Sequence, residues 1–200
     1  MKDSKRYHAI VVGVGGMGSA TCYHLARRGK RVLGLERFNI PHTKGSSHGL
    51  TRMIRLNYHE HSSYVSLLKR AYELWSELEQ LVDEKLLYIT GSINAGSTES
   101  SVFKGALQAA IEHHLPHEVL TSSELVQRFP GYQFPSELMA VYQPQGGFLL
   151  PERCIVSYVN SAMVLGAEIH GCEQVHEYMP MSSGGVRVIT DRATYEADSL

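Results

Sequence analysis

The stretch Tyr7-His8-Ala9-Ile10-Val11-Val12-Gly13-Val14-Gly15-Gly16-Met17-Gly18 decides how the chain is read. Its first half is an apolar, β-branched run ending on glycine, the pattern of a buried strand. Its second half sets Gly13, Gly15 and Gly18 at the first, third and sixth positions of a G-x-G-x-x-G turn. Behind the turn, Ala20, Tyr23, Leu25 and Ala26 recur at helical spacing, and Arg27-Arg28-Gly29 supplies the cations and glycine that close a helix. Arg31 to Glu36 reads as a second strand. Strand, tight turn, helix and strand make a βαβ unit with a parallel pair.

Each glycine of the turn has a physical task. Gly13 permits the sharp exit from the strand, Gly15 lets a pyrophosphate approach the backbone, and Gly18 lets the helix pack on the sheet. Gly16 and Met17 complete a turn whose N–H groups, with the positive end of the helix dipole, face an anion. Such a turn also occurs without any ligand, so context has to separate the readings. Glu36 closes the second strand 21 residues after Gly15, where a carboxylate accepts hydrogen bonds from an adenosine ribose. Arg37, next in sequence, joins the same candidate set. On these residues the ligand is FAD or NAD, undivided.

Composition excludes several alternatives. The chain has 200 residues, 43% hydrophobic and 20% charged, enough apolar surface to fold. Nineteen Lys and Arg against 20 Asp and Glu give a net charge of −1, which argues against nucleic-acid binding. No apolar run approaches the ~20 residues of a membrane span. The apolar stretch Ala9 to Val12, behind the basic opening Met1 to Arg6, is too short for a signal-peptide core. Cys22, Cys154 and Cys172 form no CxxC pair, which fits a reducing, cytoplasmic setting and offers no zinc site.

Downstream, Phe38 to Glu60 reads as a long functional loop. Ser62 to Lys85 reads as a helix with Leu68, Ala71, Tyr72, Trp75, Leu78 and Val82 on a core stripe. Leu87 to Asn94 reads as one strand, and Ser100 to His114 as a helix burying Phe103, Leu107, Ala110 and Ile111. Thr121-x-x-Glu124 is a capping box opening a short helix that stops at Pro130. Leu138 to Tyr142 and Gly147 to Leu150 read as strands joined through Pro144-Gln145-Gly146. Glu152 to Leu165 reads as a helix started by Pro151 and closed by Gly166. Glu168 to His170 reads as a further short segment, followed by an antiparallel meander over Gln174 to Tyr178, Gly185 to Thr190 and Thr194 to Ala197. The fold class is α/β, Rossmann-like, with an inserted antiparallel sheet.

The loop Pro41-His42-Thr43-Lys44-Gly45-Ser46-Ser47-His48-Gly49-Leu50-Thr51-Arg52-Met53-Ile54-Arg55 carries a resemblance. With the glycine turn, Glu36, the Trp75 helix, the Gly91 strand, the Arg128-Phe129-Pro130 helix exit and a Gly146-Gly147 hairpin, it resembles the monomeric sarcosine oxidase, N-methyltryptophan oxidase and pipecolate oxidase group. That group lies within the glycine/D-amino-acid oxidase superfamily of flavoproteins. The resemblance implies an FAD-binding domain over 1–86 and 151–200, interleaved with a substrate-domain segment over 87–150. It implies that Gly13, Gly15, Gly18 and Glu36 hold the ADP half of FAD. Ser46, Ser47 and Thr51 would contact the pyrophosphate and flavin side, and Val175 the adenine through its backbone. Arg52 would stand by the flavin ring, and Arg55 would bind the carboxylate of a secondary amino acid. A guanidinium suits that task because it grips a carboxylate bidentately and keeps its charge. Without the resemblance, both arginines read as solvated or paired loop residues. Leu50 departs from relatives that carry an acidic residue there.

The implied activity is oxidation of an N-methyl or cyclic secondary amino acid to an imine, with oxygen reduced to peroxide, in a monomer. The group's flavin-linking cysteine and its lysines fall beyond residue 200, so the chain reads as an N-terminal portion without turnover of its own. Bacterial relatives are cytoplasmic, and animal ones are peroxisomal through a C-terminal tripeptide. The competing functions are a flavin dehydrogenase with another electron acceptor, an NAD(P)-dependent dehydrogenase, and a non-catalytic dinucleotide-binding module. His113, His114 and His117 read as a solvated helix end rather than a metal cluster, and His59 and His61 flank the arginine loop.

Overall fold

A computed structural model describes residues 6–200; the sequence reading of Met1 to Lys5 lies outside the described residues. These divide into two compact units, one reaching to Arg52 and resuming at Leu150, the other Met53–Leu149.

In the first unit, β1 (Tyr7–Val12), α1 (Gly16–Arg27) and β2 (Val32–Leu35) form the expected βαβ unit, with β1 and β2 parallel. Gly34 explains how closely α1 lies on β2: a Cβ there would press on Cys22 Sγ, Val14 and Ile169. α5 (Pro151–Val164) packs beside α1 through Tyr158 and Tyr23, whose ring centroids are 5.4 Å apart. β9 (Glu168–His170) extends the sheet parallel to β2.

β10 (Val175–Pro180), β11 (Val186–Thr190) and β12 (Thr194–Ser199) form the antiparallel meander, which is continuous with the parallel sheet because β12 pairs parallel with β1. The six strands run in the order β10-β11-β12-β1-β2-β9. Their core gathers Tyr7, Ile10, Leu33, Leu35, Val186, Val188 and Ala197.

The second unit holds two three-stranded sheets. β3 (Arg52–Ile54) lies inside the expected loop and joins β8 (Gly147–Leu149) and β4 (Leu87–Ile89). β5 (Ser92–Gly96), β7 (Met139–Gln143) and β6 (Glu118–Thr121) make the other. The expected single strand over Leu87 to Asn94 is therefore two, broken at Gly91, whose φ of +82° turns the backbone out of the strand. The expected hairpin at Gly146-Gly147 is a crossing instead: β7 and β8 belong to different sheets.

α2 (Tyr64–Val82) was expected with the first segment, yet it packs in the second unit. Val65, Leu68 and Tyr72 close on Leu56, Ala109, Ala110 and Leu115. Its stripe is shallower than expected, since only Val65 and Leu78 are buried. α3 (Ser101–Glu112) buries Phe103, Ala106, Ala109 and Ala110 but leaves Ile111 exposed. The capping box at Thr121 and Glu124 opens α4 (Ser122–Arg128), with both reciprocal hydrogen bonds present.

Candidate functional site

The glycine turn faces a cavity of about 410 Å³ in the first unit. Gly13, Gly15, Gly16, Met17 and Gly18 line it, and so do Ser46 and Ser47 from the loop after β2. Gly13 has a φ of +91°, and a Cβ there or on Gly15 would meet nothing within 4 Å. The backbone of the turn thus looks onto open space. Gly18 is the opposite case, because a Cβ there would drive into the Gly13 carbonyl. Gly16 brings the loop close, since a Cβ would stand 2.6 Å from Ser47 Oγ. α1 starts at this cavity with Gly15 as N-cap and no side-chain cap. Its first-turn N–H groups lack intrahelical acceptors, which favours an anion there. Met17 is 86% exposed on that turn.

Glu36 directly follows β2 and is buried, with its carboxylate directed at the turn. Val14 N–H donates to Oε2 at 2.9 Å and Phe38 N–H to Oε1 at 3.0 Å. Its backbone is fixed as well: Glu36 N–H donates to the His170 carbonyl, and Glu173 N–H donates to the Glu36 carbonyl. Arg37 is exposed and stacks on the Phe38 ring at 4.9 Å. Val175 opens β10, half-buried against the sheet core, and the β10–β11 register shifts between Val175 and Glu177.

The arginine loop is tied down within the first unit. Gly49 N–H donates to Glu152 Oε1 at 3.0 Å. Arg52 donates from Nε and Nη2 to the Ser46 carbonyl and from Nη1 to the Thr51 carbonyl. Three of its five N–H groups are thereby used, and the exposed guanidinium keeps two. Thr51 is exposed and outside the cavity lining, unlike Ser46 and Ser47. Leu50 is 89% exposed.

Arg55 lies in the second unit, 4.8 Å over the Tyr58 ring. Nη2 meets His59 Nδ1 at 3.3 Å and Glu60 Oε2 at 3.8 Å, while Nε is buried with no hydrogen-bond partner. An unpartnered guanidinium N–H is what a carboxylate binder would keep available. His61 instead contacts Ser63 at the start of α2. Behind the Arg55 segment, Leu56 N–H donates to Gln143 Oε1 at 2.9 Å, and Asn94 Nδ2 donates to Asn57 Oδ1 at 3.2 Å.

Sequence reasoning missed Pro41, His42, Gly45, Thr21 and Ile155 in the cavity lining, and Glu152 beneath the loop. The Pro41-His42 dipeptide in an irregular loop was a signal for His42. Glu152, 103 residues from Gly49, had none. No helix among the described residues is long and apolar enough to cross a membrane.

The FAD dependent oxidoreductase family matches residues 8–199. The monomeric sarcosine oxidase of Streptomyces avermitilis is 40% identical over 197 residues, 98% of this chain and 51% of that protein. The N-methyl-L-tryptophan oxidase of Yersinia pestis is 33% identical over 195 residues, 97% of this chain and 52% of that protein. NikD, an unusual amino acid oxidase essential for nikkomycin biosynthesis, superposes in its open form with a TM-score of 0.86 at 30% identity, covering 98% of this chain and 50% of that one. The chain spans about half the length of the curated relatives it matches. The match across 8–199 decides between the two dinucleotides left open by the glycine turn: the chain belongs to the FAD dependent oxidoreductases.

Proposed function

We propose that the chain supplies the dinucleotide-binding part of an oxidase of N-methyl or cyclic secondary amino acids. The observation that carries this is the open glycine turn with the Glu36 carboxylate bonded into it. In this reading the turn from Gly13 to Gly18, with Ser46 and Ser47, binds the pyrophosphate through N–H and hydroxyl donors. Glu36 takes a ribose hydroxyl, with Arg37 beside it, and Val175 borders the adenine. Thr51 and Arg52 serve the flavin side. Arg52, already braced on Ser46, presents its remaining N–H groups and its charge. Arg55 binds the substrate carboxylate through its free Nε, its ring face supported by Tyr58. Residues Met53–Leu149 then form part of the substrate domain.

Bound at this turn, FAD would supply the two-electron acceptor for the amine C–H bond, with oxygen as the final acceptor. The products are an imine, which water hydrolyses, and hydrogen peroxide. In this reading the residues of this chain bind and orient, and the proton leaving the amine nitrogen joins the hydride equivalent in the peroxide.

FAD titration of the purified chain tests the cofactor part: saturable quenching of flavin fluorescence is expected, and none would overturn it. Peroxide release from the FAD-loaded chain with sarcosine, pipecolate and N-methyltryptophan tests the chemistry. Flavin reduction by these amino acids without peroxide would instead favour a dehydrogenase with another acceptor.

A further inference from the structure

Between the cavity and the carboxylate at the end of β2 stands a side chain that the roles above do not use, His42. Its ring lines the cavity and meets the Phe38 ring edge-on at 5.0 Å. Lys44 N–H donates to its Nδ1 at 3.0 Å. A neutral imidazole has one N–H and one acceptor nitrogen. With Nδ1 accepting, the proton lies on Nε2. That atom is 3.3 Å from Glu36 Oε1, and the two side chains are only 17% and 7% exposed.

A carboxylate offers about four acceptor positions on its two oxygens. On Oε1, Phe38 N–H takes one and His42 Nε2–H faces the other. On Oε2, Val14 N–H takes one. The open position is therefore on Oε2, the oxygen bonded to the glycine turn.

We propose that His42 is a positioning residue for the Glu36 carboxylate: its Nε2–H engages Oε1 and leaves Oε2, beside Val14, to accept from a ribose hydroxyl of the ADP half of FAD. This rests on the reading of the glycine turn as the FAD site. The ring is itself oriented by the Lys44 amide of the same loop, so the fold of that loop and the alignment of the carboxylate are set together.

Two substitutions separate the ring nitrogens. His42→Gln keeps an N–H near the Nε2 position and loses the Nδ1 acceptor. His42→Asn keeps an acceptor near Nδ1 and loses the N–H toward Glu36. Dissociation constants for FAD and for ADP are measured by calorimetry, with a thermal melt of each protein. The Gln variant is expected within about threefold of wild type, and the Asn variant about tenfold weaker for both ligands, the loss of one close N–H-to-carboxylate contact. An Asn variant that binds as tightly as wild type overturns the proposal. Equal losses in both variants at unchanged Tm also overturn it, because His42 would then be only a wall of the cavity.

Imidazole nitrogen NMR of the ligand-free wild type gives a readout that survives poor folding of either variant. The Nε2–H tautomer is expected, and an Nδ1–H tautomer overturns the proposal. A wild type that binds neither ligand overturns the FAD reading and the ribose role with it. In that case an Nε2–H tautomer identifies the contact with Glu36 as loop structure alone.

Discussion

Val14 and Glu36 are bonded across the turn: the Val14 N–H, flanked by Gly13 and Gly15, donates to Glu36 Oε2 at 2.9 Å. The same carboxylate accepts from Phe38 N–H, so one side chain satisfies two backbone donors behind the turn. Replacing Glu36 by Ala leaves the buried Val14 N–H and the part-buried Phe38 N–H without acceptors. A buried donor costs about 1 to 3 kcal/mol when left unpaired. Glu36→Ala is expected to lower the urea midpoint and to abolish measurable FAD binding. Glu36→Gln turns an amide N–H toward one of the two donors and is expected to show both effects in weaker form.

Gly15 and Gly18 separate binding from folding. A Cβ on Gly15 enters open space, whereas one on Gly18 runs into the Gly13 carbonyl, a backbone atom that cannot step aside. Gly15→Ala should keep the wild-type Tm and lose FAD affinity, because the methyl occupies the path of an approaching phosphate. Gly18→Ala should destabilise the fold by about 1 to 3 kcal/mol, the usual range for overpacking. A thermal melt and a flavin titration on the two proteins check the contrast.

The parts of the fold that were legible in the sequence are those where local chemistry and final structure agree. The strand into Gly13, the helix from Gly16, the Thr121 capping box and the Pro151 start of α5 are local rules, and each element stands where those rules put it. β3 was hidden because only three residues pair, Arg52–Ile54, inside a loop without alternation. The break at Gly91 and the crossing at Gly146 were hidden because partner choice decides them, and partners are distant in sequence. In the candidate site, spacing and family resemblance put the glycines, Ser46 and Ser47 in one set, and the structure brings these residues to one cavity. His42 stood in the quoted loop without a role, and Glu152 enters only through the folded loop.

Gln143 shows how a distant partner is enforced. It is fully buried on β7, and its Oε1 accepts from Leu56 N–H, next to Arg55. Its own Nε2 has no hydrogen-bond partner, and Asn57 Nδ2 and Ser92 Oγ in the same unit are likewise unpaired. The network is half satisfied, so removing its acceptor is costly while removing its idle donor is not. Gln143→Leu should lower stability by about 1 to 3 kcal/mol, because Leu56 N–H loses its acceptor in the interior. Urea denaturation measures this. A change below about 0.5 kcal/mol would mean that Leu56 N–H finds another acceptor.

Glu173 gives the chain a defined acid sensitivity. Burial pushes its carboxyl up, but hydrogen bonds from Thr190, Tyr195 and His170 outweigh burial and hold it below the ordinary value of 4.5. Thr190 Oγ1 donates at 2.7 Å, and His170 Nδ1 lies at 2.9 Å. The folded state therefore binds this proton less readily than the unfolded state. The resulting stabilisation is complete above the unfolded value and is lost as pH falls below about 4.5 toward the lower folded value. Urea midpoints of wild type should fall over that acidic range, and Glu173→Gln should remove part of the slope while lowering stability at neutral pH. The Gln side chain keeps an acceptor for Thr190 and has no charge to titrate, so it isolates protonation from the loss of a hydrogen bond. Parallel wild-type and variant curves from pH 7 to pH 3 would place the acid sensitivity in other carboxylates.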